Sequence, residues 1–257
     1  RRQAMHITIT GNLGSGKSTT CKILEAKYGF EIFSTGKVIR SIADEMGISV
    51  LEMNERMSKD PQYDHMIDDK TAAISRENPD KQLLFDSRLA WNFVEKSFKV
   101  FLSVDLQEAA RRVYSDASRG DVETYKSVED AAKQLQARAD NENVRYEALY
   151  GIHYFDFSNY NLILDSSFLP PERVADALIG EARACDNWNG YGVTGRLLIS
   201  PKRLGVETDV EVTFDHGYVY PMPVKVVADG DRFTVVEGTE YVKKAAEEGY
   251  AYVSASL

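Results

Sequence analysis

The sequence predicts an α/β fold, a mostly parallel sheet held between two helical layers, with a small α+β unit after it. Three observations carry this. Up to about Ala184, short β-like runs alternate with amphipathic helical segments, the order that builds parallel sheets wrapped by helices. Two of the runs, "LLFDS" and "KVFLSV", are continuously apolar, as in strands covered on both faces. After Cys185 the texture changes to "DNWNGYGVTG", a Gly- and Asn-rich turn cluster, followed by further β-like runs. The expected units are residues 5–184 and 196–257.

The elements follow in order. "HITIT" reads as the first strand, with a helix from Lys17 to Tyr28 that stops at Gly29. "EIFST" is the second strand. The next helix carries Val38, Ile39, Ile42 and Met46 on one face and ends at Gly47. Helices are expected around Val50–Met57 and Tyr63–Ser75, then the two buried strands, then a helix from Leu106 to about Ala117. A polar stretch, "SRGDVETYK", leads to Ser127 and Asp130, a capping-box pattern opening a long helix to about Tyr150. "NLILDSS" is the next strand, and "PPERVADALIGEARA" opens with Pro where a missing N–H costs least. In the tail, "VEVTF", "YPMPVKVV" and "RFTVVEG" read as strands and "EYVKKAAEEGY" as a helix. The sheet of the larger unit is expected to be complete at Ala184, leaving the tail dispensable for chemistry.

Composition narrows the function classes. The 257 residues are 43% hydrophobic and 28% charged, an ordinary globular balance. A net charge of −9 argues against a nucleic-acid partner, since phosphate backbones repel such a field. No apolar run approaches the roughly 20 residues of a membrane-spanning helix. No signal-peptide pattern precedes the first strand; "RRQA" reads as a cloning remnant or short leader. Cys21 and Cys185 form no disulfide framework, so a cytoplasmic setting is expected.

Between the first strand and the first helix stands "GNLGSGKS", Gly11 to Ser18, which matches G-x-x-x-x-G-K-[ST] in the context its mechanism needs. Glycines let backbone N–H groups turn inward as an anion nest, and the helix N-terminus reinforces it. This makes the sheet the three-layer αβα sandwich of P-loop proteins, with Gly11, Asn12, Leu13, Gly14, Ser15, Gly16, Lys17, Ser18 and Thr19 on the phosphates of ATP. Lys17 would reach the β- and γ-phosphates, and Ser18 would offer oxygen to Mg²⁺. Asp86, ending "LLFDS", is the second expected Mg²⁺ or nucleotide-side oxygen.

The guanine-reading N-K-x-D run is absent, which disfavours a GTPase switch. Arginines instead collect where a kinase needs them: Arg40, Arg88, Arg111, Arg112, Arg119, Arg138 and Arg145, several flanking one polar, lid-like segment. Phosphoryl transfer depends on charge neutralisation more than on covalent chemistry. A hydroxyl acceptor needs a base, whereas a phosphate acceptor is already anionic and suits arginine clamps. A nucleoside monophosphate is therefore the favoured acceptor, and Asp86 or Asp68 would be the base if the acceptor were an alcohol. A regulatory ATP-binding protein whose tail engages a macromolecule remains the rival of another class.

Six stretches resemble the cytidylate kinase-like P-loop nucleoside monophosphate kinases: "GNLGSGKST", "STGKVIRSIADEMGIS", "KDPQYDHMID", "DSRLAW", "RADNENVRYEALYGI" and "YNLILDSS". The resemblance implies ATP- and Mg²⁺-dependent transfer to a nucleoside monophosphate, CMP or dCMP first. It implies acceptor contacts at Ser34, Thr35, Gly36, Arg40 and Arg88, with Asp68 and Arg145 on the acceptor side. It implies Lys17, Arg119 and Arg138 acting on the transferring phosphate. Ser87, His153 and Asn161 depart from the family's usual Gly and Asp residues at those places. The tail is faintly similar to the ParB/sulfiredoxin-like fold through "LLISPKRL" and "ADGDRFTVVEGTEYVKKAAEEG". There "EGTEY" stands where that group carries a phosphate-binding motif, so a binding or packing module with an unidentified partner is expected.

Overall fold

The computed structural model describes residues 4–60, 62–116, 125–185 and 195–257. A single nine-stranded sheet runs through it in the order β2-β3-β1-β4-β5-β6-β9-β7-β8. β1 (Met5–Gly11) is buried at every residue and lies between β3 (Gln82–Asp86) and β4 (Phe98–Ser103), parallel to both. β2 (Glu31–Ser34) and β5 (Leu162–Asp165) extend this parallel core on either side. Crossover helices cover it. α1 (Lys17–Ile23), prolonged by a π turn over Leu24–Tyr28, packs against α8 (Pro171–Ala184) beneath one face. α2 (Thr35–Met46), α3 (Val50–Lys59) and α4 (Gln62–Glu77) form a helical cluster beside β2. The short α5 (Ala90–Phe93) follows β3 and was not legible beforehand. α6 (Leu106–Ser115) and α7 (Val128–Tyr150) pair through Val104, Ala109, Val113, Ala131 and Leu135. Local chemistry sets these starts: Ser34, Ser49, Asp105 and Ser127 each cap a helix by accepting a backbone N–H bond.

The sheet does not close at Ala184, contrary to the expectation above. β6 (Arg196–Ile199) pairs parallel with β5, and β9 (Tyr252–Ser256) pairs antiparallel with β6. β7 (Val219–Asp229) lies parallel to β9 and forms a hairpin with β8 (Arg232–Glu237); α9 (Thr239–Glu247) packs over them. The physical reason is that β5 is buried on both faces and would otherwise end the sheet as an unpaired apolar edge. Two smaller expectations also change. "VEVTF" is not a strand: Val210 and Val212 are exposed and the segment pairs with no strand among the described residues, the Thr213 N–H donating instead to the carbonyl of Gly249 in a turn. β9 was missed because five residues with two buried aromatic or branched side chains give little pattern. The Gly- and Asn-rich residues 186–194 and the polar stretch 117–124 lie outside the described residues.

Leu198 of β6 is fully buried in the same core as Ile7 and Leu164. Leu198→Ala is expected to cost about 2–5 kcal/mol in urea unfolding while leaving one transition. Two separate transitions, with only the later one shifted, would show that the tail folds independently.

Candidate active site

The cradle is built by close packing. Gly11 ends β1 with φ 149°, and a Cβ there would sit 2.3 Å from the Leu102 carbonyl oxygen of β4. Gly14, at φ 81°, would place a Cβ 2.8 Å from the Ala109 Cβ of α6. Only glycine fits either place, so β4 and α6 press directly on the loop backbone. Gly16 then caps α1, whose first N–H groups have no helical partner and face the loop. Lys17 forms an ion pair with Asp86 at the end of β3, both partly buried. Ser18 and Thr19 are exposed on the first turn of α1. The buried Ser15 hydroxyl has no protein partner among the described residues.

Three clefts meet at Arg88. One, about 620 Å³, follows the loop from Asn12 to Thr20 and is walled by Arg112, Ser166, Leu169 and Pro171. A second, about 220 Å³, lies toward α4 and α7 and is lined by Thr35, Asp64, Asp68, Arg145, Tyr146 and Tyr150, among others. The third, about 890 Å³, opens between the loop, α7 and the β7–β8 turn. Arg88 Nη1 donates to the Gly11 carbonyl at 2.6 Å and to the Tyr154 hydroxyl at 3.0 Å, and lies 3.5 Å from Glu142. Burial works against its charge, but Tyr154 and Glu142 outweigh that and raise its pKa above the ordinary arginine value. Tyr154, fully enclosed after α7, accepts from the Gly11 N–H at 3.2 Å and donates to the Gly11 carbonyl at 2.9 Å. It clamps the strand-to-loop junction and was not foreseen; a tyrosine among aromatics reads as core.

The expected acceptor-side residues are distributed unevenly. Thr35, Asp68, Arg88 and Arg145 line the second cleft together. Ser34 spends its hydroxyl on capping α2, accepting from the Lys37 N–H at 3.2 Å. Arg40 is exposed beside Gly36, and neither lines that cleft. Arg145 pairs with Asp64 at 3.2 Å. Arg138, half exposed on α7, bonds Glu142 at 3.3 Å. Arg119 lies outside the described residues. Arg112, counted in the sequence only among helix arginines, binds the Gly14, Ser166 and Ser167 carbonyls at 3.2, 2.8 and 2.6 Å, fixing the far wall of the cleft that follows the loop. Its i, i+4 partner Glu108 was the available signal.

Residues 6–168 match the cytidylate kinase-like family. The cytidylate kinase of Natronomonas pharaonis is 37% identical over 172 residues, covering 66% of this chain and 85% of that protein. That of Haloarcula marismortui is 36% identical over 194 residues, 75% of this chain and 95% of its own. A solved structure from Eubacterium ventriosum, of an uncharacterised protein, superposes with TM-score 0.52 at 15% identity, over 70% of this chain and 99% of that one, and shows a shared fold. The chain belongs to the cytidylate kinase-like family and is an ATP-dependent kinase. No helix among the described residues is long and apolar enough to cross a membrane.

Burial pushes Asp68 up to about 6, although the Tyr150 hydroxyl donates to it at 2.8 Å. A carboxyl raised in the folded state adds stability that is full below its unfolded pKa and is lost as pH rises through about 6. Asp68→Asn is therefore expected to gain stability relative to wild type between pH 4 and 7, read by urea unfolding at each pH. A constant difference across that window would place Asp68 in water.

Proposed function

We propose that this chain transfers the γ-phosphoryl group of ATP to CMP or dCMP, with Mg²⁺. The observation that carries the reading is Arg88, a half-buried guanidinium standing where the phosphate cradle and the acceptor cleft meet. A transferring phosphoryl passes between those clefts, and a fixed cation there stabilises the charge on its equatorial oxygens without reorganising. Lys17 would neutralise the β- and γ-phosphates from within the cradle. The N–H groups of the loop and of the first turn of α1 would orient them, and Arg112 would hold the wall beside the nucleotide.

Oxygen donors present at the cradle suit a magnesium ion: the exposed Ser18 hydroxyl and the Asp86 carboxylate, hard ligands of the kind this ion takes alongside substrate phosphates. Bound there, Mg²⁺ neutralises phosphate charge. Asp86, paired with Lys17, would be one of the residues that hold the ion. On the acceptor side, Arg88 and Arg145 favour an anionic group, and the cytidylate kinases among the relatives support the base assignment. Asp68 supports a second reading, a hydroxyl acceptor, because a carboxyl with a pKa of about 6 is poised to take a proton. The unpaired cysteines, Cys21 and Cys185, suit a reducing compartment such as the cytoplasm.

ADP release across CMP, dCMP, UMP, AMP, GMP and simple alcohols separates the readings: the highest kcat/KM is expected with CMP or dCMP. An alcohol as the best acceptor would overturn the phosphate assignment. Arg88→Ala and Lys17→Ala are each expected to lower kcat on the order of 100-fold or more, as loss of a preorganised cation at a developing charge does. Turnover within a few fold of wild type in either would remove that residue from the reacting centre.

A further inference from the structure

The segment after Ala184 lies beyond the family match, which ends at residue 168, yet it reaches the phosphate cradle. We propose that Asp231, from the β7–β8 turn, is a positioning residue for the P-loop and acts through Asn12, which makes the C-terminal segment a working part of the kinase. The inference rests on the cradle being the ATP phosphate site.

Asp231 follows Gly230 in the two-residue turn between paired Asp229 and Arg232. Its side chain points into the protein. Oδ2 accepts from Asn12 Nδ2 at 2.5 Å and from the Val104 N–H at 3.2 Å, and Oδ1 accepts from the Ser103 hydroxyl at 2.5 Å. Arg203, 5% exposed at the side chain, opposes the carboxylate at 3.3 Å and donates to the Asp231 carbonyl at 2.5 Å. Arg203 also bonds the Ser103 hydroxyl and pairs with Asp165 at 3.1 Å, so the turn is locked to the ends of β4 and β5.

Asn12 is the loop residue after Gly11, and its carbonyl accepts the Ser15 N–H at 3.2 Å, closing the turn of the cradle. A side chain fixed by a buried anion therefore fixes the plane of that turn. The same carboxylate holds the Val104 N–H at the end of the strand against which Gly11 packs. Severing the link at Asn12 leaves Asp231 its bonds to Ser103, Val104 and Arg203, so the tail keeps its own anchorage.

The carboxylate must be ionised to accept from all three donors. Burial raises its pKa to about 6 against the pull of Arg203, the Ser103 hydroxyl and the Val104 N–H. The charged groups around it are Arg203, Asp165 and, beyond Arg203, Asp105. Protonation as pH falls through about 6 removes an acceptor from the link to Asn12.

The test uses the full chain and measures kcat, KM for ATP, KM for CMP and ATP affinity by equilibrium titration. Asn12→Ala, Asp231→Asn and the double variant are compared from pH 5 to 8. Asn12→Ala is expected to fold as wild type, to raise KM for ATP at least 5-fold and to leave KM for CMP within 2-fold. Asp231→Asn is expected to do the same, and the double variant no more than the worse single. In wild type, kcat/KM for ATP carries an additional fall below pH about 6 relative to Asn12→Ala, since ionisation of the substrate phosphates and of Asp68 acts on both proteins alike. Unchanged ATP parameters in Asn12→Ala, additive losses in the double variant, or an acid arm in Asn12→Ala as steep as that of wild type would each overturn the proposal. Should Asp231→Asn fail to fold, the acid arm of Asn12→Ala decides alone. Failure of the wild-type chain to bind ATP would remove the cradle reading itself, and this inference with it. ATP binding with an indifferent Asn12→Ala would remove only the inference.

Discussion

A backbone can wrap a phosphate only if nothing stands between its N–H groups and the anion, and nothing between its outer side and the protein that holds it rigid. Here that constraint is met by bare contact: β4 touches Gly11 and α6 touches Gly14, at distances that leave no room for a side chain. The rest of the architecture follows from keeping those two elements in place. β4 is fixed by β1 and β5 on either side, and α6 by its apolar seam with α7. Arg112 ties α6 to the loop after β5, and Tyr154 and Arg88 grip the Gly11 carbonyl from the other side. The cradle is held from behind, from above and from both flanks.

Charge at the site is arranged economically in space. Three cations that line the clefts already have a carboxylate or carbonyl partner: Lys17 has Asp86, Arg88 has Glu142 and the Gly11 carbonyl, and Arg145 has Asp64. Such pairs hold the side chains in position, which lowers the ordering cost when an anionic ligand takes over as partner. Glu142 is notable because it sits on α7 and also bonds Arg138. It links the helix that follows the polar stretch to the arginine at the junction of the clefts.

Much of this was legible in the sequence, for physical reasons. The G-x-x-x-x-G-K-[ST] run reads directly because the chemistry demands specific residues at fixed offsets, and the capping serines read because orphan N–H groups demand an acceptor. The buried parallel strands read because both of their faces are apolar. What did not read depends on partners remote in sequence. Asp231 in "ADGDR" has the signature of a turn, and nothing near it announces that it meets Asn12, 219 residues away. Arg203 in "SPKRL" looks like a surface cation until Asp165 and Asp231 close around it. Tyr154 was absorbed into an aromatic run, and the continuation of the sheet through β6 and β9 was hidden by strands too short for periodicity to register. As acceptor contacts, Ser34 and Arg40 came from the resemblance; the fold uses the Ser34 hydroxyl to cap α2 and leaves Arg40 exposed beside Gly36.

The central claim is that the loop at Gly11–Ser18 delivers the terminal phosphate of ATP to a nucleoside monophosphate held beside Arg88. The most direct measurement is to follow ATP labelled in its γ-phosphoryl oxygens, incubated with CMP, Mg²⁺ and the full chain, by ³¹P NMR. The account predicts that the label appears in the β-phosphate of CDP as ADP forms in equal amount. Label appearing only in inorganic phosphate, with CMP unchanged, would contradict it.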